Sequence, residues 1–106
     1  MAQFDVHRNV GRHKDAIPFV VVAQSRLCDD YRRRVVIPLV RKTALSEIPN
    51  PRLNPNFKVK GIAVIVPPLE MVSVANEHLG ECIGSLAEKG DAIVAALDEM
   101  LTRAFW

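Results

Sequence analysis

Cysteine, aromatic side chains and charge of one sign are all scarce in this chain, and each scarcity removes a class of function. Cys28 and Cys82 stand far apart with no CxxC pair. In a reducing compartment they are expected as small buried hydrophobes rather than as a disulfide. Two cysteines, and three histidines without a second ligand at helical spacing, give no reason to expect a zinc site. His7 and His13 are six apart in a polar stretch and are expected in a loop. Four Phe, one Tyr and one Trp leave little material for a base-stacking platform. A net charge of +2 is too small to mark a direct nucleic-acid binder. No apolar run approaches the roughly 18 residues of a membrane span; Ile62 to Pro68 fits a strand and stops at a double proline. The opening Met1-Ala2-Gln3-Phe4-Asp5 has no basic segment followed by an apolar one, so no secretory leader is expected and the cytosol is the expected compartment.

Catalytic signatures are missing too. There is no GxSxG, no HExxH and no glycine-rich phosphate loop, so no cofactor is implied. Glu70, Glu77 and Glu81 are scattered and are expected on solvated surface. Small ribonucleases nevertheless work with a few arginine, histidine, aspartate or threonine residues that no pattern captures.

What is present fits one small globular unit. A chain of 106 residues has room for one core, and 49% hydrophobic with 25% charged residues is an ordinary globular balance. Phe4-Asp5-Val6 alternates and suits a first strand. A basic polar loop follows, holding Arg8, Arg12 and Lys14. Ile17 to Ala23 is a β-branched run for a central strand, with Pro18 at its start, and pairing with the first strand makes a meander. Val35 to Val40 is another strand, in which Pro38 suggests an edge or a bulge. Arg41 to Asn54 reads as a long excursion. Phe57 to Val59, a Lys60-Gly61 turn and Ile62 to Val66 form a hairpin. Met71 to Val74 is expected as the last short strand, followed by a loop with Gly80 and Gly84. Ser85 with Glu88 matches a capping box, and Gly90-Asp91 offers a second helix start. Ile93, Leu97, Met100, Leu101 and Ala104 then define an apolar stripe, Asp91, Asp98 and Thr102 the opposite side, and Glu99 stands four before Arg103. The expectation is a mainly β, α+β fold of antiparallel strands closed by one C-terminal helix.

Arg32-Arg33-Arg34 admits two accounts. The run suits contact with phosphate or an acidic partner segment. Equally, alternate arginines at a strand start point to solvent while one covers apolar surface with its stem, which is the account preferred for Arg33.

Four segments in order resemble the CcdB family over about residues 3 to 104. They are Gln3-Phe4-Asp5-Val6, with its basic loop and strand ending Val22-Ala23-Gln24-Ser25; Arg33-Arg34-Val35-Val36-Ile37-Pro38-Leu39; Arg52-Leu53-Asn54-Pro55 with Phe57, Val59 and Gly61; and Met71-Val72-Ser73-Val74, Leu79-Gly80-Glu81 and Ile93 to Asp98. The resemblance implies a homodimer of SH3-like barrels of the CcdB/PemK toxin type, without catalytic residues. It implies a toxin of a toxin–antitoxin pair that binds the GyrA subunit of DNA gyrase, traps it on cleaved DNA and is neutralised by a CcdA-like antitoxin. The family's gyrase-binding patch falls here on Leu27 and Cys28, with Arg26 where an acidic residue is usual, and on Thr102, Arg103 and Ala104 where the family ends in Trp-Gly-Ile or similar. Arg103 brings a long charged side chain where glycine allows close approach, and Ala75 replaces a customary proline. Trp106, one helical turn beyond Thr102, is either a partner anchor or a loosely packed end. Val72, Val74 and Thr102 are expected at the dimer interface, and Arg8, Arg12, Lys14, Arg41 and Lys42 against an acidic antitoxin tail.

Two other functions remain open at this point. The fold could persist without poisoning gyrase, as an antitoxin decoy or with another target, because of Arg103 and the added Phe105-Trp106. Alternatively the chain could be an endoribonuclease of the MazF/PemK type, with His7 and Arg32 to Arg34 as candidates.

Overall fold

Runs of β-branched residues become strands, because such side chains pack well on a pleated surface. The computed structural model describes residues 3–28, 30–47 and 50–102, the side chains of Arg26 and Thr102 excepted. β1 (Asp5–Arg8) pairs antiparallel with β2 (Phe19–Val22), and β2 with β3 (Arg33–Arg41), aligning Val6, Val21 and Ile37 across three strands. This is the expected meander, with Pro18 just before β2. β4 (Asn56–Val59) and β5 (Ile62–Ile65) form the expected hairpin. Val59 faces Ile62, so the loop is only Lys60 and Gly61, at φ of 51° and 78°. Two positive φ angles in a two-residue loop match the twist of the flanking strands, and Gly61 takes its angle without a Cβ penalty.

β6 (Val72–Ala75) pairs with β3, and the described residues form a seven-stranded sheet ordered β4-β5-β3-β2-β1-β7 with β6 set beside β3. Among the described residues every strand pair is antiparallel, and the sheet curls into a half-barrel. Its end strands face each other across a groove of about 170 Å³ lined by Lys58, Val59, Ile83 and Ser85. With the C-terminal helix this is the expected α+β architecture.

Pro38 was expected at an edge or bulge, and the structure refines that. β3 is central, paired with β2 on one side and with β6 and then β5 on the other. Asn76 N–H donates to Arg32 O while Arg41 N–H donates to Ala16 O, which fixes the alternation. Even-numbered residues of β3 direct their backbone groups toward β6 and β5. Pro38 falls between Val36, opposite Val72, and Val40, opposite Ile65. Its missing N–H therefore lies where one partner strand has ended and the next has yet to begin.

Three other expectations are corrected. Cys82–Ser85, expected as loop, is β7, paired with β1 through a register shift between Val6 and His7. Three of its four residues are exposed, so no apolar pattern announced it. The β1 backbone makes the strand. His7, also expected in a loop, lies within β1 and is buried, whereas His13 does lie in the loop. Cys28 is half-buried and Cys82 exposed; both are free, but neither is the buried hydrophobe expected.

The helix starts at the second candidate. α1 spans Gly90–Thr102, preceded by a 3-10 turn over Ala87–Lys89. Ser85 Oγ accepts from Ala87 N–H at 3.0 Å, so the expected capping serine serves that turn rather than the α-helix. Ile93 and Ala96 are buried and Leu97 and Met100 half-buried, but Leu101 is 65% exposed and leaves the stripe. Glu99 meets Arg52 Nη2 at 2.6 Å; Ala104 and Arg103, Glu99's expected partner, lie outside the described residues.

The core gathers Phe4, Val6, Phe19, Val21, Ile37, Leu39, Val64, Val66 and Ile93, each of the larger side chains stabilising by about 1.5–3 kcal/mol. Gly90 seats the helix on it. A Cβ there would stand 2.5 Å from Phe4 Cε2, and Phe4 is itself buried. Gly90→Ala therefore lowers stability by about 1–3 kcal/mol through overpacking, against a helix-propensity gain of about 1 kcal/mol. Urea unfolding checks this, and a midpoint equal to or above the wild type contradicts the contact.

Candidate functional site

The connection from β2 to β3 displays an apolar side chain on a braced support. Residues 26–28 form a 3-10 turn; Ser25 O accepts from Cys28 N–H at 2.9 Å and Ser25 Oγ from Leu27 N–H at 3.1 Å. Gln24 continues the ladder with its side chain: Oε1 accepts from Val35 N–H at 2.9 Å, and Nε2 reaches Cys28 O and Arg33 O at 3.4 Å. Tyr31 O accepts from the Arg34 guanidinium and, at 3.4 Å, from Asn76 Nδ2. On this support Leu27 is 88% exposed and Tyr31 is exposed as well. A fixed backbone showing a large apolar side chain to water is the composition of a contact point, not of a core.

The arginine run divides. Arg33 lies across β6, its Nε donating to Ser73 Oγ and its Nη2 to Ser73 O, both at 2.7 Å. Arg34 is buried, with Nη1 donating to Tyr31 O and, at 3.0 Å, to Arg33 O. Arg33 thus ties two strands together rather than pointing freely to solvent, and Arg34 holds the end of the β2–β3 connection at Tyr31 from inside. Arg32 is exposed. With His7 and Arg34 buried and Arg33 engaged, the endoribonuclease candidates do not converge on an open surface.

Two bonds from Arg41 tie the end of β3 to the basic loop. Arg41 N–H donates to Ala16 O at 2.7 Å and Arg41 Nε to Asp15 O at 2.8 Å, so the end of β3 clamps the base of the loop that carries Arg12 and Lys14. Arg8, Arg12 and Lys14 are exposed, and Lys42 is half-buried beside Asn56, Phe57 and Lys58. Arg41 is occupied with this clamp.

A third surface is apolar. Leu69, Met71 and Val72 are exposed, with the exposed Glu70 between the first two, and Leu69 lies within the turn on which α1 rests. Val72 is 52% exposed and Val74 half-buried, both on β6, which among the described residues pairs only with β3. Of the remaining expected site residues, Thr102 is the last described residue of α1, and Arg103, Ala104 and Trp106 lie outside the described residues. Sequence reasoning missed Leu69 and Leu101 as exposed apolar residues. Leu69, following two prolines in a short turn, carried no periodic signal. Asp5, His7 and Cys82 come together at the β1/β7 pair as one cluster of metal-ligating types. No described helix is long and apolar enough to cross a membrane.

Comparison with known proteins gives one family. The model described as CcdB protein matches residues 3–102, nearly the whole chain. No curated protein matches it.

Proposed function

The chain belongs to the CcdB family, and from that premise we propose that it is the toxin of a type II toxin–antitoxin system, acting on the GyrA subunit of DNA gyrase. It works by binding. An exposed side chain on a rigid turn favours one conformational state of gyrase over others, holding the enzyme on cleaved DNA, and differential affinity alone supplies the effect. The observation that carries the reading is Leu27, 88% exposed on a turn held by Ser25 and Gln24, with Arg34 and Asn76 holding Tyr31 just beyond it, at the position the resemblance gives to the family's contact pair.

Gyrase inhibition tests it. The purified protein at micromolar concentration is expected to block supercoiling and to accumulate gyrase-dependent DNA breaks. Leu27→Glu is expected to weaken both by at least tenfold with unchanged thermal stability, since the side chain touches little of its own protein. No inhibition by the wild type refutes the poisoning claim. If Thr102→Trp, Arg103→Gly and Ala104→Ile together then create it, the decoy reading that Arg103 motivates takes its place.

The antidote is an acidic, flexible antitoxin tail of the CcdA kind, received by Arg8, Arg12, Lys14, Arg41 and Lys42. Double charge reversal, Arg12→Glu with Lys14→Glu, is expected to reduce affinity for such a peptide by tenfold or more and to flatten its salt dependence. Unchanged affinity by calorimetry removes these residues from the antitoxin site.

The chain works as a homodimer paired through Val72, Val74 and the last turn of α1 at Thr102, a reading supported by the exposed side chains of Leu69, Met71 and Val72 and by the outer edge of β6. An edge of this kind invites pairing with a second copy. Val72→Lys is expected to shift the sedimentation coefficient from dimer to monomer, and a wild type that sediments as a monomer overturns the arrangement.

A further inference from the structure

We propose that Asp5, His7 and Cys82 form a three-ligand site for a thiophilic divalent cation of the zinc class, stapling β7 to β1. Asp5 and His7 are two apart on β1 and so share one face, the face opposite core residue Val6. Cys82 stands directly across from His7 on β7. A carboxylate oxygen, an imidazole nitrogen and a thiol sulfur, one from each residue, all lie within 4.8 Å of one another.

An independent observation concerns the histidine. His7 is only 4% exposed, and its Nε2 is buried with no hydrogen-bond partner. Nδ1 lies 2.9 Å from Gly80 O, and a carbonyl accepts, so Nδ1 carries the proton and Nε2 the free lone pair. A buried polar atom without a partner costs free energy, and a cation is a partner that satisfies a lone pair. Metal-binding histidines are held in the same way, one nitrogen donating to a carbonyl and the other free for the ion.

The donor set selects the ion. Thiolate and imidazole suit zinc and its first-row neighbours and exclude magnesium and calcium, which take oxygen ligands. Bond lengths of about 2.0–2.3 Å in a tetrahedral site put ligand atoms roughly 3.3–3.8 Å apart, so the cluster closes by about 1 Å. Cys82 is exposed and in no disulfide, its thiol donating to Gly84 O at 3.6 Å, and rotation of its side chain away from that long contact supplies the movement. The thiol proton passes to water as the thiolate binds, and the fourth position stays open to water.

Such a bond acts at an irregularity of the sheet. The β1/β7 register shifts between Val6 and His7, and β7 leads directly through Ser85 and Leu86 into the segment that starts α1. Cross-linking the strands there holds the base of the helix against the sheet.

Cobalt titration of the tag-free full chain tests the site. One equivalent of CoCl₂ is expected to give a thiolate-to-cobalt charge-transfer band that ZnCl₂ bleaches. Cys82→Ser is expected to abolish the band, Cys28→Ser to leave it intact, and Asp5→Asn to weaken cobalt binding about tenfold. Zinc is expected to raise the melting temperature of the wild type and not of Cys82→Ser. Both cysteine variants change side chains that are not part of the core, so folding is preserved. No band at saturating cobalt, a band that survives Cys82→Ser, or equal zinc stabilisation of both proteins overturns the proposal.

Discussion

β3 is paired along both of its edges, and the positions of the other elements follow from that constraint. One side carries β2 for four consecutive residue pairs; the other carries β6 over Arg33–Val36 and β5 at Val40 and Arg41. A strand satisfied on both sides cannot slide without moving Ile37 and Leu39, both fully buried, to the wrong face. The handover from β6 to β5 happens at the one residue that has no N–H to offer. Pro38 thus sets where the sheet divides, and the divergence of β6 from β5 lets the sheet curl into a half-barrel.

The second constraint joins sheet to helix through a single residue. Phe4 has φ of 70°, in the left-handed region that a bulky side chain rarely occupies. Its N–H donates to Val22 O at 2.7 Å, its carbonyl accepts from Leu86 N–H at 2.8 Å, and its ring fills the space that Gly90 leaves. Two backbone bonds and a buried ring together hold that conformation. The start of α1 is therefore anchored to β2 and to the N-terminal segment at once, and the helix projects from a rigid base.

Function in this architecture belongs to what the scaffold holds outward. Gln24, Arg34 and Asn76 are polar residues spent on bracing the connection between β2 and β3, which shows Leu27 to solvent. Arg41 is likewise spent on clamping a loop whose free charges are Arg12 and Lys14. Binding surfaces that are ordered before the partner arrives lose less entropy on association. On the proposed function no reactive centre is called on, because a surface complementary to one state of a target is enough to shift that target's equilibrium.

The strands β1 to β6, the Lys60-Gly61 hairpin turn and the helix were legible in the amino-acid order, since β-branched runs, proline stops and an apolar stripe act locally. The order of segments also pointed to the family, and with it to Leu27. The remainder was set by contacts between distant residues. β7 has almost no apolar pattern and exists because β1 offers it a backbone to pair with. Arg34, one of three adjacent arginines, is buried because Tyr31 and Arg33 turn carbonyls toward it, and no neighbour in the chain distinguishes it from Arg32. Asp5 and His7 meet Cys82 only across a strand pair. Local pattern determines which segments extend and which coil, whereas burial of a polar group and convergence of remote side chains depend on pairing register, which only the folded sheet supplies.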